Sequence, residues 1–214
     1  MSAITLTLRD MAYGGDAVGL YEGKAVFVPL GITGETVRVQ LVEQHKRFAR
    51  GRLLDVLEPS PDRTLPPCPY FELCGGCHWQ HIDYRAQLRF KRHMLCSQLE
   101  RIGKQENPLV RATIGMESPW AYRNHVQLGV DRLGHAGYHA VKSHDIVPVD
   151  ACLIAHPLLN EMWGALDVQC EGLKHVSLRA GINTGERMVM FEGKGELPPQ
   201  LDLDMPISCL YQDG

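Results

Sequence analysis

Three cysteines lie close together in the sequence and are the residues best suited to chemistry. Cys68, Cys74 and Cys77 stand in the string CPYFELCGGC, where a tight loop would bring three thiolates to one point. Gly75 and Gly76 let the backbone fold closely around whatever the sulfur atoms bind. Thiolates in such an arrangement are the ligands of iron-sulfur clusters and of structural zinc. The spacing therefore predicts a metal centre.

A four-iron cluster needs four cysteine ligands, and this loop supplies three of them. Cys96 falls inside a predicted helix, where a buried structural thiol is the more common role. Cys152 ends an extended stretch, from which its sulfur could reach back across the fold. Position therefore favours Cys152 as the fourth ligand, ahead of Cys96, Cys170 and Cys209.

Zinc is the alternative occupant of this centre. Four cysteines, or three cysteines with His78 or His81, would suit its tetrahedral geometry. Zinc sites are usually built from two short CxxC pairs, however, and this chain has a single pair. The spacing thus favours a cluster but leaves both metals open. Disulfides are not favoured, because the cysteine count of seven is odd and no export signal precedes them.

The composition is that of a soluble globular protein. The chain has 214 residues, 44% of them hydrophobic and 22% charged, which is enough for a core in one or two domains. The longest apolar run, from Ala25 to Ile32, is interrupted by Pro29 and Gly31 and is too short to cross a membrane. The first residues lack the basic stretch and apolar core of a secretory signal. We expect a cytoplasmic monomer with no membrane contact.

The net charge of −3 hides an uneven distribution. Residues 38–52 carry five cations against one carboxylate, and residues 85–104 carry six cations against one carboxylate. Two basic patches on an acidic body indicate a phosphate-binding face. Residues 44–48 lie between two predicted strands, so Lys46 and Arg47 would share a loop with the ring of Phe48. Such a loop can bind phosphates and stack a base, although a solvated charged turn fits the pattern equally well.

The first 58 residues are predicted to form a small closed barrel of four or five strands. Alternating or apolar segments, separated by glycine turns, indicate strands over residues 4–8, 25–28, 36–42 and 50–57. A closed barrel hides the edges of such short strands. The next segment, residues 59–67, is rich in proline and is predicted to be a stiff linker.

The rest of the chain is predicted to combine helices and strands. Asp83 is a candidate N-cap for a basic helix that begins beside the metal loop and runs to about Ile102. Beyond Trp120 the pattern predicts a hairpin of residues 122–130 and 137–141, followed by a short helix over 157–166. A second hairpin, of residues 176–180 and 187–191, and a final strand over 207–211 complete the prediction. Asp213 and Gly214 favour a hairpin turn, but no strand returns after them, so we expect that sequence is missing.

Three stretches resemble the RNA uracil-5-methyltransferase family, particularly its iron-sulfur members that act on 23S ribosomal RNA. They are MAYGGDAVG, GKAVFVPLGITGETVRVQLVEQHKRFARGRLLDVLEPSPDR and PPCPYFELCGGCHWQHIDYRAQLRFKR. In that family a TRAM domain, which is an oligonucleotide-binding (OB-like) barrel, precedes a cluster loop, a central α+β domain and a SAM-binding catalytic domain. The resemblance implies a TRAM domain over 1–58, a linker over 59–67, an iron-sulfur loop and helix over 68–104, and a central α+β domain over 105–214. The implied fold class is mixed β and α/β, truncated before the catalytic domain.

The resemblance also assigns candidate site residues. It maps the family's four ligands of a [4Fe-4S] cluster onto Cys68, Cys74, Cys77 and Cys152, and so favours iron over zinc. The string WAYRNHVQLGV is similar to a strand of the family's central domain, which makes Arg123 and Asn124 candidates for RNA contact. The residues that we predict to bind RNA are Lys46, Arg47, Phe48, Arg50, Arg52, Arg89, Lys91, Arg92 and Arg123. Trp79 is a further possible stacking ring, although packing beside the loop is the commoner role for such an aromatic residue.

No catalytic or SAM-binding residue carries over to this chain. Family members attack a flipped uracil with a cysteine, take a methyl group from S-adenosylmethionine (SAM) and release the product with a carboxylate base. The implied function is the RNA-binding and cluster-binding portion of a SAM-dependent 23S rRNA (uracil-C5)-methyltransferase, inactive alone. The alternative is a stand-alone TRAM and iron-sulfur protein that binds RNA without catalysis. A radical-SAM tRNA-modifying enzyme is disfavoured, because its CxxxCxxC signature differs from the spacing here.

Overall fold

The predicted N-terminal barrel is observed, and the side chains of its first strand alternate between the barrel core and the surface. The computed structural model describes residues 3–165, 172–193 and 208–213. Its first five strands are β1 (Ala3–Met11), β2 (Ala17–Tyr21), β3 (Lys24–Val28), β4 (Thr36–Gln44) and β5 (Phe48–Glu58). They form a closed barrel in the order β1-β2-β3-β5-β4. Ile4, Leu6 and Leu8 of β1 are buried in its core, while the residues between them are exposed.

The turn between β4 and β5 is shorter than the loop predicted from the sequence. Gln44 ends β4 and Phe48 begins β5, which leaves residues 45–47 between them. The backbone N–H of His45 donates to the carbonyl of Phe48 over 2.8 Å and closes the turn. Lys46 and Arg47 therefore stand at the tip of a tight hairpin.

A buried ion pair fixes the proline-rich linker against the barrel. The Glu35 side chain is fully buried, and Arg63 of the linker donates to both of its oxygens, from Nε over 2.6 Å and from Nη2 over 2.8 Å. The backbone N–H groups of Ile32 and Ser60 donate to the same carboxylate over 2.9 and 3.2 Å. Burial acts to raise the pKa of Glu35, but the hydrogen bonds from Arg63, Ser60 and Ile32 outweigh it and lower that pKa. The carboxylate is thus charged at neutral pH.

The predicted basic helix is confirmed as α1 (Tyr84–Arg101). Asp83 is its N-cap, and the carboxylate of Asp83 accepts hydrogen bonds from the backbone N–H groups of Arg85 and Ala86 over 3.0 and 3.3 Å. The buried side chains of Ala86 and Phe90 join the core of the barrel. The helix therefore belongs to the same hydrophobic core as the strands.

A second sheet follows, with a helix packed on it. Its elements are β6 (His125–Val130), β7 (Ala136–His139), β8 (Ile146–Pro148), α2 (Pro157–Ala165), β9 (Leu173–Ala180), β10 (Arg187–Gly193) and β11 (Ser208–Asp213). The strand order is β11-β10-β9-β6-β7-β8. Leu159 and Met162 of α2 share a buried cluster with Val176, Leu178 and Phe191 of the sheet. The predicted mixture of helix and strand is thus observed.

Some sequence predictions fall at or beyond the limits of the described residues. The predicted end of the second helix at Leu166 and the start of the last strand at Ile207 lie outside them, as does Gly214. Asp213 is the last residue of β11, which pairs in parallel with β10, and the predicted hairpin turn at Asp213 and Gly214 extends outside the described residues. Strand β8 was not predicted from the sequence, because three residues are too few to show a period.

The chain divides into two compact units. The barrel unit comprises Met1–Pro67 and His78–Gly115, and the sheet unit comprises Cys68–Cys77 and Met116–Gly214. The predicted segment 68–104 accordingly has its cysteine loop, with Cys68, Cys74 and Cys77, in the sheet unit and its helix in the barrel unit. Across the described ranges, no helix combines the length and the apolar character that crossing a membrane requires.

His81 should make the stability of the barrel unit depend on pH. Its side chain is buried, and burial together with the charge of Arg63 lowers its pKa from 6.5 to about 4, against the opposing effects of Gly31 and Glu35. As the pH falls from 6.5 to about 4, the unfolded state takes up a proton that the folded state does not. The free energy of unfolding should therefore fall over this window, by about 3 kcal/mol in total.

Hydrogen exchange of the β1 and β4 amides at several pH values would measure this loss in the barrel itself. The His81→Gln variant, which has no titrating ring, should lose less stability over the same window. Equal losses in the two proteins would contradict the prediction. The remaining loss in the variant reports on carboxylates such as Glu35.

Candidate metal centre and nucleic-acid surfaces

Backbone hydrogen bonds hold the cysteine loop against the end of β7. The N–H of Gly75 donates to the carbonyl of His139 over 2.9 Å, and the N–H of Val141 donates to the carbonyl of Leu73 over 3.1 Å. A Cβ atom on residue 75 would stand 3.0 Å from the His139 carbonyl oxygen. A side chain at position 75 would press on this carbonyl, so the loop or the end of β7 would have to shift by a few tenths of an ångström.

The loop is also tied to the segment that carries Cys152. The Tyr70 hydroxyl donates to the carboxylate of Asp150 over 2.7 Å and lies 3.1 Å from the backbone N–H of Asp150, which donates to it. Within the loop, the N–H of Cys74 donates to the carbonyl of Tyr70 over 2.8 Å. These contacts join two stretches that are far apart in the sequence.

Asn160 of α2 holds the backbone of Cys152 from both sides. Its side-chain oxygen accepts from the N–H of Cys152 over 3.0 Å, and its amide nitrogen donates to the carbonyls of Cys152 and Ala155 over 3.1 and 3.5 Å. Tyr138, on β7, lies close enough to Cys152 for the thiol to raise the pKa of the tyrosine hydroxyl, and both side chains pack against the buried cluster of the sheet. The sequence analysis did not identify Asn160 or Tyr138, because no local pattern links either residue to Cys152.

Cys74 lies within electrostatic range of the three other predicted metal ligands. All four are half-buried thiols. Burial raises the pKa of Cys74, and the charges of Cys77, Cys152 and Cys68 raise it further, while the N–H of Gly76 acts in the opposite direction. Burial also raises the pKa of the Tyr138 hydroxyl, with contributions from Cys152 and Cys74. The structure therefore places Cys74 near the three other thiols that the sequence singled out.

This gathering does not by itself amount to a metal site. Within the described ranges, no three His, Cys, Asp or Glu side chains form a group that could hold a metal ion. The other suggested zinc ligands, His78 and His81, belong to the barrel unit, where His81 is buried. The iron-sulfur cluster therefore stays a prediction.

The turn between β4 and β5 presents cations and aromatic rings together. The rings of His45 and Phe48 stack at 4.4 Å, and Phe27 meets Phe48 edge-on at 5.9 Å. Lys46 and Arg47 are exposed, and neither forms an ion pair with any residue that the structure describes. We call these five residues the turn surface. It has the chemistry of the predicted nucleic-acid loop.

The other predicted cations of the barrel have partners within the protein. Arg50 lies 3.5 Å from Asp16 and 3.6 Å from Glu43, measured between nitrogen and carboxylate oxygen. Arg52 donates to the side-chain oxygen of Gln40 over 2.5 Å. These strand arginines are less available to an external phosphate than the cations of the turn.

The helix cations divide in the same way. Arg89 donates to both carboxylate oxygens of Asp62 over 2.7 and 2.8 Å, and Arg92 donates to the carbonyl of Val110 over 2.9 Å. Lys91 is exposed and has no ion pair among the residues described. It is the most available of the three.

The backbone of Arg123 and the side chain of Trp79 both make contacts within the protein. The backbone of Arg123 pairs with the segment before α2, with its N–H donating to the carbonyl of Ile154 over 2.8 Å, and its charge acts to lower the pKa of Tyr138. The Trp79 ring N–H donates to the carbonyl of Gly15 over 2.9 Å, and the ring packs edge-on against Phe90. Packing is therefore the observed role of Trp79.

Comparison with known proteins finds a family model that matches the barrel and relatives that match most of the chain. Residues 2–54 match the TRAM domain. An uncharacterized RNA methyltransferase of Halalkalibacterium halodurans is 39% identical over 213 residues, which cover 92% of this chain and 46% of the relative. An uncharacterized RNA methyltransferase of Caldanaerobacter subterraneus is 38% identical over 206 residues, which cover 88% of this chain and 45% of the relative. The chain thus spans about half the length of the curated relatives that it matches.

A solved structure extends the match to the backbone. It is the Pyrococcus abyssi tRNA (uracil-54, C5)-methyltransferase in complex with S-adenosyl-L-homocysteine, which is 25% identical with a TM-score of 0.63. The match covers 92% of this chain and 47% of that chain. Taken with the TRAM match and the sequence relatives, it shows that this chain is similar to RNA methyltransferases over 92% of its own length, one of them a tRNA uracil-C5 enzyme.

Proposed function

We propose that this chain is the RNA-recognition and cluster-bearing portion of a SAM-dependent 23S rRNA (uracil-C5)-methyltransferase. The observation that carries the RNA-binding part is the turn surface, where two exposed cations flank stacked rings on a TRAM barrel. Relatives named RNA methyltransferases support the class of reaction, and the S-adenosyl-L-homocysteine in the solved structure supports SAM as methyl donor. That structure is of a tRNA methyltransferase, so the choice of 23S rRNA rests on the sequence resemblance.

RNA binding at the turn surface would combine charge with stacking. Lys46 and Arg47 neutralise phosphates without regard to sequence, and the release of counterions makes this binding sensitive to salt. Phe48, already stacked on His45, offers an edge of aromatic surface to an unpaired base, as is usual in the recognition of single-stranded RNA. Some arginines already bind a partner within the protein and must leave it before they can bind a phosphate. They therefore contribute less to RNA affinity than the turn cations do; these arginines are Arg50, Arg52, Arg89 and Arg92.

We also propose that Cys68, Cys74, Cys77 and Cys152 hold a [4Fe-4S] cluster. Cysteine thiolates are the standard ligands of such clusters, so the chemistry of the donor set suits the group, and Cys74 lies within electrostatic range of the other three thiols. The bound cluster would supply a positively charged core and cross-link the cysteine loop to the segment of Cys152. Its role would be structural, because methyl transfer from SAM consumes no electrons.

By itself the chain is proposed to bind RNA without transferring a methyl group. The nucleophilic cysteine and the carboxylate base of the family have no counterpart that we could assign among these residues. The stand-alone binding module is not favoured, because the matching relatives are RNA methyltransferases.

Removing both cations of the turn should weaken RNA binding and flatten its salt dependence. We expect the Lys46→Ala/Arg47→Ala variant to lower the slope of log affinity against log salt by about 0.7 for each phosphate that is no longer neutralised, and so by about 1.4 in total. Fluorescence anisotropy with a labelled single-stranded RNA at several salt concentrations measures this slope. The Arg9→Ala/Arg111→Ala variant, with the same charge change at exposed positions of the barrel unit, is the control. Equal slopes in the two variants would remove the turn from the interface.

Replacing Cys74 by serine should abolish the cluster. Anaerobic purification followed by analysis of iron, sulfide and zinc should give about four iron atoms per chain in the parent protein and almost none in Cys74→Ser. The Cys96→Ser variant, which removes a cysteine of α1, should keep its iron. A parent chain that carries zinc would support the alternative metal, and iron retained by Cys74→Ser would show the ligand assignment wrong.

Asn160 should be a positioning residue for Cys152. The Asn160→Leu variant keeps the size of the side chain but removes all three hydrogen bonds, so iron release to a chelator should accelerate on the order of tenfold. Asn160→Asp keeps the acceptor for the N–H of Cys152. Its rate of iron release should therefore fall between those of Asn160→Leu and the parent protein. Asn183→Leu, at an exposed turn, is the control. Unchanged iron release in Asn160→Leu, with circular dichroism showing a folded protein, would contradict this role.

A further inference from the structure

A cleft of about 1100 Å³ lies in the sheet unit, where β9 turns into β10. Its walls come from Asn124 and His125 at the start of β6, from the end of β9 at Arg179, and from the turn and first residues of β10 up to Met188. We propose that this cleft holds one unstacked nucleotide of single-stranded RNA, with its base against Arg179 and His125. The inference rests on the proposed function and adds a second contact to it, in the other unit of the chain.

Three side chains of the cleft lie in a row across neighbouring strands. His125 of β6 pairs in register with Arg179 of β9, and Arg179 pairs with Met188 of β10. The residues that alternate with them, among them Leu178 and Val189, are buried in the cluster that includes α2. The row therefore lies on the face of the sheet opposite to that helix.

The chemistry of this row suits a nucleobase. Burial, together with the charge of Arg179, lowers the pKa of His125, so its ring is neutral at physiological pH. Arg179 is exposed and makes no ion pair with the residues described, so its guanidinium plane is available to stack on a base. Single-stranded RNA is commonly recognised by stacking of unpaired bases on aromatic rings and on arginine planes.

The turn that closes the cleft is fixed in advance. The N–H of Gly181 donates to the carbonyl of Glu186 over 2.8 Å, and the Thr184 hydroxyl donates to the Glu186 carboxylate over 3.0 Å. A further hydrogen bond, from the N–H of Gly185 to the carbonyl of Gly181, measures 2.7 Å. A wall that is already rigid lowers the entropic cost of binding.

The charges of the cleft argue against a bare anion as the ligand. Arg187 is held by Glu161 of α2 over 2.8 Å, so its charge is already compensated. Glu186 adds a carboxylate to the wall, where it accepts a hydrogen bond from the Thr184 hydroxyl. One cation, one carboxylate and a neutral imidazole offer both donors and acceptors, which a nucleobase edge can use and a phosphate alone cannot.

Binding of a labelled single-stranded RNA of mixed sequence to the full chain tests this site. Arg179→Ala should weaken binding about tenfold, as expected when one base-stacking contact is removed. Arg132→Ala removes the same charge at an exposed position between β6 and β7, and should change binding by less than about twofold. Arg179→Lys should bind the RNA as weakly as Arg179→Ala does, because an ammonium group has no plane to stack on a base.

Two results would overturn the inference. One is an equal loss of RNA affinity in Arg179→Ala and Arg132→Ala. The other is RNA binding by Arg179→Lys that equals that of the parent chain, which would make Arg179 a phosphate contact.

Photocrosslinking of 4-thiouridine RNA to the parent chain gives a readout independent of any variant, and adducts should fall on the peptides of His125 and Met188. If the turn variant weakens binding and Arg179→Ala does not, this inference alone fails. If the parent chain binds no RNA, the proposed function fails first.

Discussion

The backbone hydrogen bonds between the cysteine loop and the end of β7 are the constraint on which the candidate metal centre depends. Thiolates repel one another, and the charges of Cys68, Cys77 and Cys152 each raise the pKa of Cys74. The sulfur atoms therefore do not gather by their own attraction. The fold gathers them, through the N–H of Gly75 on one side and through the side chain of Asn160 on the other. A positively charged occupant would turn this repulsion into attraction, which is why a metal centre is the natural use of the arrangement.

The barrel unit handles buried charge in a different way. Glu35 is fully buried, yet its carboxylate has a guanidinium and two backbone N–H groups as partners. A buried ion pair of this kind adds little net stability, because the cost of desolvating both charges offsets their attraction. Its effect is to specify position: Arg63 can satisfy Glu35 only when the linker lies along the barrel. The pair therefore fixes the linker that precedes the cysteines.

The sequence predicts those parts of the fold that depend on local patterns. The alternation of Ile4, Leu6 and Leu8 and the capping residue Asp83 each determine an element from neighbouring residues. Contacts between distant residues leave no such pattern. Spacing alone could not decide among the candidates for the fourth cysteine, and nothing local indicates that Asn160 holds Cys152. The roles of the cations were hidden for the same reason, because each depends on whether an acceptor elsewhere in the chain lies within reach: a carboxylate for Arg50 and Arg89, an amide or carbonyl oxygen for Arg52 and Arg92.

Strand register explains which cations remain available. In an antiparallel sheet each residue has a direct neighbour on the adjacent strand, and Arg50 has Glu43 as that neighbour while Arg38 has Asp55. The basic stretch 38–52 therefore carries less available charge than its composition indicates.

The cations of the turn and the cleft have no acidic residue as a cross-strand neighbour. Lys46 and Arg47 stand in the turn, beyond the last pair of the β4–β5 ladder, and so have no cross-strand neighbour in it. The register neighbours of Arg179 are His125 and Met188, neither of which carries a carboxylate. Positive charge thus stays available to an external ligand at positions that the sheet leaves without a facing carboxylate, because a strand cation opposite an acid is neutralised as soon as the strands pair.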